Sequence, residues 1–279
     1  MDLLHSTLLG LGGNMKILAS DFDGTLCFRS PEGEYAYRDE DVRAIKRFQE
    51  RGNLFGLNTG RAVACTDNFH EKTRGVIPFD FIIGDSGAEI ADSRRVPFYS
   101  RLIDPKTALK AKEAGSFSDA SVFFSTPEGY TAVGSQPGDL QSGVLENDED
   151  ILNLEIHSMA FETDTIEKAS EILKRLEKEN LTLNLQQNWT SVDVSPKGCT
   201  KGTALSHLAE HFGVSVQDIA AIGDGLNDLS AIEAAGISFA MENAQDELKE
   251  AADYVVGSVA EAIAILEEID QQECRQTSE

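Results

Sequence analysis

The chain has 279 residues, of which 41% are hydrophobic, and it is long enough for two domains because one domain usually takes about 100–200 residues. Aspartate and glutamate total 48 against 24 lysine and arginine, so the formal net charge is −24. A surface of this charge repels nucleic acid and anionic membranes, and no apolar run approaches the ~20 residues of a membrane helix, so we expect neither as a partner.

Residues 1–14, MDLLHSTLLGLGGN, precede the first predicted strand. Asp2 stands where a signal peptide carries basic residues, so this segment does not match a signal peptide. We predict that it is a disordered extension or a misplaced start. From residue 15 the sequence alternates between short apolar runs and an amphipathic stretch. Strands are predicted at 16–20, 54–58 and 79–84, and a helix at 39–51. Strands separated by helices in this way predict a parallel sheet.

The middle of the chain has a different pattern, with short alternating strands and two helices. Residues 121–135 predict a hairpin that turns at 127–129, and residues 152–162 and 181–189 alternate like half-exposed strands. Residues 165–179 predict an amphipathic helix. The acidic stretch 136–150 is predicted to be a mobile loop. We therefore predict an α+β insert in which one antiparallel sheet carries helices on one face.

The alternation of helix and strand returns after residue 191. Helices are predicted at 201–212, 226–235, 245–251 and 259–270, and strands at 218–222, 237–240 and 254–256. The sequence thus predicts an α/β fold with a Rossmann-like parallel-sheet core made of residues 15–85 and 191–279. Residues 86–190 would form an inserted α+β cap domain that determines substrate specificity.

Polar residues follow several of the predicted core strands, at the sheet edge where ligands bind in open parallel sheets. Asp21 and Asp23 follow the first strand and, being two residues apart, should face one pocket. Asp224 and Asp228 follow a later strand, around a glycine-containing turn. Carboxylates that converge in this way repel one another unless a divalent cation lies among them, and Mg²⁺ prefers such oxygen ligands.

Hydrogen-bond donors are predicted at the same edge. Thr59, the backbone N–H groups around Gly60, and Lys201 at the start of a helix match the oxygens of a phosphoryl group. A metal, these donors and a free carboxylate oxygen together indicate phosphoryl transfer to an aspartate. The residues alone leave open whether Asp21 or Asp23 is the nucleophile.

Four segments resemble the four motifs of the haloacid dehalogenase superfamily, in the order of that family: DFDGTL, NTGR, TKGTAL and GDGLNDLSAIEAAG. A large insert between the second and third motifs resembles the Cof-type branch of sugar-phosphate phosphatases. Two positions differ from the pattern of the branch, since Asn58 often corresponds to alanine and Ser86 to asparagine.

The resemblance implies a role for each matching residue. Asp21 would be the nucleophile and Asp23 the general acid and base. The metal Mg²⁺ would be held by Asp21, the backbone carbonyl of Asp23, Asp224 and, in support, Asp228; the phosphate would be held by Thr59, Gly60, Lys201 and Asn227. We expect a Mg²⁺-dependent phosphatase that hydrolyses a small phosphorylated metabolite, a sugar monophosphate, through an aspartyl-phosphate.

Two other functions remain open from the sequence. One is a phosphotransferase or phosphomutase on the same fold, although relatives of that kind more often carry the cap between the first two motifs. The other is a metabolite-binding protein without activity. Retention of Asp21, Asp23, Lys201 and Asp224 together disfavours it.

Five further side chains have ordinary structural interpretations. We predict that Arg61 pairs with a neighbouring acid, and that His157 is a surface or core histidine. His207 and His211 have metal-like spacing but no third ligand, so we predict a solvated helix face. Trp189 is predicted to pack at the hinge between cap and core, with stacking on the substrate as the alternative. The cysteines are scattered without CxxC pairs, which indicates reduced thiols and a cytoplasmic protein.

Overall fold

A computed structural model describes residues 15–29, 35–66, 73, 75–116, 120–133 and 141–276. The extension predicted at 1–14 lies outside these residues. In chain order the strands are β1 (Ile17–Ser20), β2 (Cys27–Arg29), β3 (Tyr35–Tyr37), β4 (Leu54–Asn58), β5 (Phe81–Gly84), β6 (Glu89–Asp92), β7 (Pro97–Ser100), β8 (Ser121–Thr126), β9 (Gly129–Val133), β10 (Gln141–Leu145), β11 (Ser158–Glu162), β12 (Leu183–Asn188), β13 (Ser191–Pro196), β14 (Ile219–Gly223), β15 (Ile237–Met241) and β16 (Tyr254–Val256). The α-helices are α1 (Asp39–Glu50), α2 (Pro105–Gly115), α3 (Ile166–Lys178), α4 (Lys201–Phe212), α5 (Leu229–Ala234), α6 (Asp246–Ala251) and α7 (Val259–Gln276).

The core sheet has eight strands in the order β16-β15-β14-β1-β4-β5-β6-β7. The strands from β16 to β5 are parallel, whereas β6 and β7 add an antiparallel edge. β1 is central, and all four of its residues are buried, as the continuous apolar run predicts. The predicted α/β fold with a parallel-sheet core is confirmed.

Helices cover both faces of the core sheet. On one face α1 and α7 pack through residues such as Phe48 and Leu266 against the apolar side chains of β1 and β4. On the other face α4, α5 and α6 contribute side chains such as Leu205 and Leu248. The carboxyl ends of β1, β4 and β14 therefore share one open edge, where the polar motif residues lie.

The cap sheet has six strands in the order β10-β9-β8-β11-β13-β12. Its strands pair antiparallel, except that β10 runs parallel to β9. Helices α2 and α3 share an apolar cluster with the sheet, for example through Ala108 and Ile172. We call residues 101–196, which carry this sheet, the cap.

The sheets divide the chain differently from the predicted boundaries at 86 and 190. β6 and β7 extend the core sheet, because the chain reverses after β5 through Asp85, Ser86 and Gly87, all with positive φ, and pairs back antiparallel. β13 lies between β11 and β12 in the cap sheet.

Two local predictions within the cap also differ from the structure. The stretch predicted as a loop at 136–150 contains β10 and the start of a 3-10 helix, Asp148–Asn153, although 136–140 lie outside the described residues. The same 3-10 helix occupies the start of the strand predicted at 152–162, so β11 begins at Ser158. Among the described residues, no helix combines the length and apolarity needed to cross a bilayer.

Candidate active site

Asp21 lies at the end of the central strand, with its side chain at the open edge. Its backbone N–H donates to the carbonyl of Ile222 at 2.9 Å, which continues the pairing of β1 with β14. The side chain is buried, and its Oδ1 accepts a hydrogen bond from the Lys201 ammonium at 2.6 Å. Within the described part of the chain, Oδ2 accepts no hydrogen bond.

Lys201 is the first residue of α4 and is 1% exposed. Its Nζ lies between Asp21 Oδ1 and Asp228 Oδ1, at 2.6 and 2.5 Å. Asn58 fixes the backbone here, since its Nδ2 donates to the Lys201 carbonyl at 3.1 Å. Burial by itself lowers the pKa of Lys201, but the two carboxylates more than offset this and hold the pKa above its ordinary value. The ammonium therefore stays charged.

The loop after β14 brings two more carboxylates to the cluster. Asp228 Oδ2 accepts the backbone N–H groups of Asp224 and Gly225, both at 3.1 Å. Asp224 Oδ1 accepts from the Thr25 hydroxyl at 3.2 Å. Gly24 permits this approach, because its φ is +84° and a Cβ there would lie 2.3 Å from Asp224 Oδ2.

The carboxylates exceed the positive charge available to them. Burial raises the pKa of Asp21 well above its usual range; Lys201 lowers it in part, and Asp228 and Asp224 raise it again. Burial, followed by the charge of Asp228, raises the pKa of Asp224 to about 6. One ligand oxygen from each of these three acids lies within 4.8 Å of the others. An all-oxygen set with surplus negative charge fits a hard divalent cation.

Asp23 lies apart from this cluster. Its side chain is 48% exposed and forms a two-pronged ion pair with Arg61, with Nε–Oδ2 and Nη2–Oδ1 both at 2.6 Å. The predicted ion pair of Arg61 is therefore confirmed. Asp21 and Asp23 nevertheless border the same cavity.

The cavity has a volume of about 510 Å³ and lies between the open edge of the core and the cap. Thr59, Gly60 and Asn227 line it beside the aspartates, as predicted for one shared pocket. Thr59 is buried at the end of β4, and its Oγ1 accepts the backbone N–H of Arg61 at 3.2 Å. The structure thus brings together all the predicted site residues, with the Asp23 carboxylate turned toward Arg61.

The cap supplies a wall that the motifs did not predict. Described cap residues that line the cavity are Phe123, Ser125, Tyr130, Ser158, Met159, Ala160, Glu162, Asn188, Trp189, Asp193 and Val194. Most of them lie on β8, β11 and β13. Alternating patterns predicted strands at β8 and β11 without showing which face meets the core, whereas the residues of β13 were assigned to the second core segment. Asp193 keeps part of its surface accessible but lies deep between cap and core, and this burial raises its pKa to about 6.

Trp189 and His207 differ from their predicted settings. Trp189 does not pack at the hinge; it is 64% exposed, has a φ of +51°, and lines the cavity. His207 is half-buried, and its ring stacks on Tyr99 at a centroid distance of 3.9 Å. His211 is exposed, as predicted, and its ring stacks on Phe98 at a centroid distance of 3.6 Å.

A second group of ligand-type side chains lies next to the cavity. One ligand atom each from Asp85, Glu89 and His157 lies within 4.8 Å of the others, so this group could also hold a metal ion. His157 is buried, in agreement with the prediction of a core histidine. The sequence indicated Asp85 only as the residue that ends a strand.

Comparison with known proteins matches residues 18–269 to the family of haloacid dehalogenase-like hydrolases. Pyridoxal phosphate phosphatase YbhA of Escherichia coli is 35% identical over 267 residues, covering 87% of this chain and 93% of that protein. The phosphatase YwtE of Bacillus subtilis, which acts on 5-amino-6-(5-phospho-D-ribitylamino)uracil, is 30% identical, covering 88% and 93%.

The fold is shared with solved structures as well. Phosphatase BT1666 of Bacteroides thetaiotaomicron superposes with a TM-score of 0.73 at 25% identity, covering 93% of this chain and 98% of that one. The resemblance to Cof-type phosphatases and the predicted enzyme class, a phosphoric monoester hydrolase, are confirmed. Because the family match spans both core segments and the cap between them, this chain belongs to the haloacid dehalogenase-like hydrolases.

Proposed function

We propose that this hydrolase is a Mg²⁺-dependent phosphatase of sugar monophosphates that works through an aspartyl-phosphate on Asp21. One observation supports the proposal most: Lys201 holds Oδ1 of Asp21 from within a buried acidic cluster at the cavity, while Oδ2 accepts no hydrogen bond from the described residues. A carboxylate held by one oxygen and free at the other is oriented for attack.

The first chemical step would be an in-line displacement at phosphorus. A carboxylate oxygen of Asp21 forms a bond to phosphorus as the bond between phosphorus and the ester oxygen breaks. Asp23, protonated at that stage, gives its proton to the leaving alkoxide. The Asp23 carboxylate must leave Arg61 to do this, because the ion pair occupies both of its oxygens.

The second step would return the enzyme to its starting state. Asp23, now ionised, takes a proton from a water molecule, whose oxygen attacks phosphorus and releases Asp21 and inorganic phosphate. Thr59, Gly60 and Asn227 line the cavity and, with Lys201 beside Asp21, would contact the phosphoryl oxygens. Mg²⁺ would be held by Asp21, the Asp23 carbonyl and Asp224, with Asp228 in support, and would supply positive charge to the phosphoryl group.

The cap wall favours a leaving group with hydroxyls over one with a second phosphate. Ser158 and Asn188 offer neutral hydrogen-bond partners, and Glu162 and Asp193 offer acceptors. Arg61 lines the cavity but is paired with Asp23. The relative YwtE acts on a phosphate carried by a ribityl chain, which is a polyol.

A hydrolysis screen with Mg²⁺ tests the proposal. We expect hexose and pentose monophosphates to exceed sugar bisphosphates, nucleoside triphosphates and phosphopeptides in kcat/KM. A phosphopeptide or triphosphate that beats every sugar monophosphate by about tenfold, or 1.4 kcal/mol in transition-state terms, contradicts it. Transfer of phosphate to an added acceptor sugar, measured by product analysis in the same screen, would favour the phosphotransferase alternative instead.

A further inference from the structure

A second group of buried ligand-type side chains lies where the core sheet meets the cap. Asp85 follows β5, Glu89 begins β6, and His157 immediately precedes cap strand β11. Their exposed fractions are 0, 9 and 4%, and one ligand atom from each lies within 4.8 Å of the other two. None of them belongs to the catalytic cluster around Lys201.

Hydroxyl groups hold the outer atoms of this group. The Ser158 hydroxyl donates to Asp85 Oδ1 at 2.7 Å. The Ser100 hydroxyl lies 3.1 Å from His157 Nε2, within hydrogen-bonding distance. These two contacts orient the Asp85 carboxylate and the imidazole ring in the way that outer partners orient the ligands of metal sites.

The inner atoms are unpartnered. Asp85 Oδ2 and His157 Nδ1 are buried and make no hydrogen bond, and the buried Ser125 hydroxyl, which approaches the Asp85 carboxylate, is also without a partner. Nδ1 lies 3.8 Å from Glu89 Oε2, which is too far for a hydrogen bond. Buried polar atoms without a partner are rare because their lost hydration is not replaced. Two of them, from separate elements and next to a third carboxylate, point to a species that occupies the space between.

That species must carry positive charge. Asp85 and Glu89 are both buried, so two carboxylates lie together with one imidazole in this space. A cation bound by the inner atoms would neutralise both carboxylates and supply the missing partners. Ser100, which lies 3.1 Å from His157 Nε2, is exposed to solvent.

We propose that Asp85, Glu89 and His157 form a second metal site that binds a divalent transition-metal cation of the zinc or manganese type. The imidazole distinguishes this site from the all-oxygen catalytic cluster, since Mg²⁺ seldom accepts nitrogen ligands whereas Zn²⁺ and Mn²⁺ bind imidazole and carboxylate together. A bound cation joins β5 and β6 of the core to β11 of the cap. It also fixes Ser158, which lines the catalytic cavity.

The test uses the full chain with the substitution Asp224→Asn. This change removes one carboxylate from the catalytic cluster, so that zinc bound to the protein reports on the second site. Zinc is added to the metal-free protein, excess is removed, and the bound ion is counted by mass spectrometry and examined by X-ray absorption at the zinc edge. We expect one zinc per chain and the outer-shell scattering of one imidazole. The catalytic cluster contains no histidine, so this signature cannot come from it.

Matched variants assign the signal to its ligands. His157→Gln in the same background should lose the imidazole signature, whereas the control His207→Gln should keep it. If His157→Gln does not fold, Glu89→Gln is the substitute and should weaken zinc binding at least about tenfold. Ser100→Ala should weaken it by about 10–100-fold, the usual effect of removing an outer partner, and the control Ser170→Ala, at a half-buried serine of α3, should not.

Three results overturn the proposal. They are zinc binding no greater than background, bound zinc without imidazole scattering, and an imidazole signature that survives His157→Gln.

Discussion

The ammonium of Lys201 lies between two buried carboxylates, Asp21 and Asp228. Removing one partner of a buried ion pair leaves charge without compensation. We expect Lys201→Met to lower the free energy of unfolding by about 3–5 kcal/mol and to abolish turnover. Urea denaturation without added metal measures the first effect.

The control for this substitution is Lys249→Met. Lys249 lies 3.9 Å from Asp246, whose side chain is 97% exposed, so its loss should cost less than about 1 kcal/mol. If Lys201→Met destabilises the protein no more than this control, the buried cluster does not depend on Lys201.

Asp23 would act on the leaving group rather than on phosphorus. Asp23→Asn should therefore slow esters with poor leaving groups by about 10²–10⁴-fold, because their alkoxides need a proton, and slow the first step of an activated aryl phosphate much less. Single-turnover rates of the same variant are measured on both substrates, so that a general loss of folded enzyme would lower both rates equally. Equal losses would remove the acid role from Asp23.

Through Asp193 in the cap wall, the free energy of unfolding should depend on pH. Burial raises its pKa from an ordinary 3.8 to about 6, so the folded state holds its proton more tightly than the unfolded state does. The resulting stability is fully present below pH 3.8 and is lost as the pH rises through 6. Asp193→Asn should therefore become more stable relative to the parent as the pH rises, by about 1–3 kcal/mol at neutral pH.

Urea denaturation of both proteins at several pH values across this window checks the prediction for Asp193. Most other acids titrate alike in the two proteins, so the difference isolates this carboxyl. A stability difference that does not change with pH would show that Asp193 is solvated in the folded protein.

The turn after β1 is the element that couples the first strand to the loop carrying Asp224. Gly24→Ala places a Cβ 2.3 Å from Asp224 Oδ2 in addition to the strain of a positive φ. We expect it to cost at least about 1–2 kcal/mol, the penalty for the left-handed conformation, and to raise the Mg²⁺ concentration needed for half-maximal activity.

Gly52→Ala is a matched control for this turn. Its φ is +86°, and nothing lies within 4 Å of an added Cβ, so it carries the same backbone strain without the contact. It should lose similar stability but keep the parent's response to Mg²⁺. Identical Mg²⁺ titrations for the two variants would contradict a role for Gly24 in placing Asp224.

At the level of elements, local patterns predicted the core but not its edge. β1 and α4 were predictable because a buried strand is a continuous apolar run and a helix start has its own capping residues, here Thr200. The residues of β6 and β7 were assigned to the cap because the sequence pattern changes after β5. Their pairing depends on a reversal through Asp85 and Ser86 that the sequence does not mark.

The residues of the candidate active site also fall into those that the sequence predicted and those that it did not. Asp21, Thr59 and Asp224 were predictable because strand ends of a parallel sheet meet at one edge. The cap residues Trp189 and Asp193 were not, because their place depends on how the cap sheet packs over the core. The proximity of His157 to Asp85 could not be predicted either, because the two residues are far apart in sequence and belong to the cap and the core.

For the whole molecule, the net charge of −24 and the acidic residues of the cavity both repel anionic ligands. Long-range repulsion opposes polyanions, but salt screens most of it beyond a Debye length of ~8 Å. Close to Asp21 the field depends on Lys201 and on the divalent cation that the carboxylates would bind. A single phosphoryl group on a neutral or polyol carrier suits this arrangement better than a polyanion.

The central claim is that Asp21 carries the phosphoryl group during turnover, and rapid-quench peptide mapping tests it most directly. The protein is mixed with Mg²⁺ and a sugar monophosphate, quenched in acid within the first turnover, and digested for mass spectrometry. We expect a Mg²⁺-dependent phosphoryl group on Asp21 that is absent from Asp21→Asn. Turnover with no phosphorylated residue, or with the phosphoryl group on another side chain, would contradict the account.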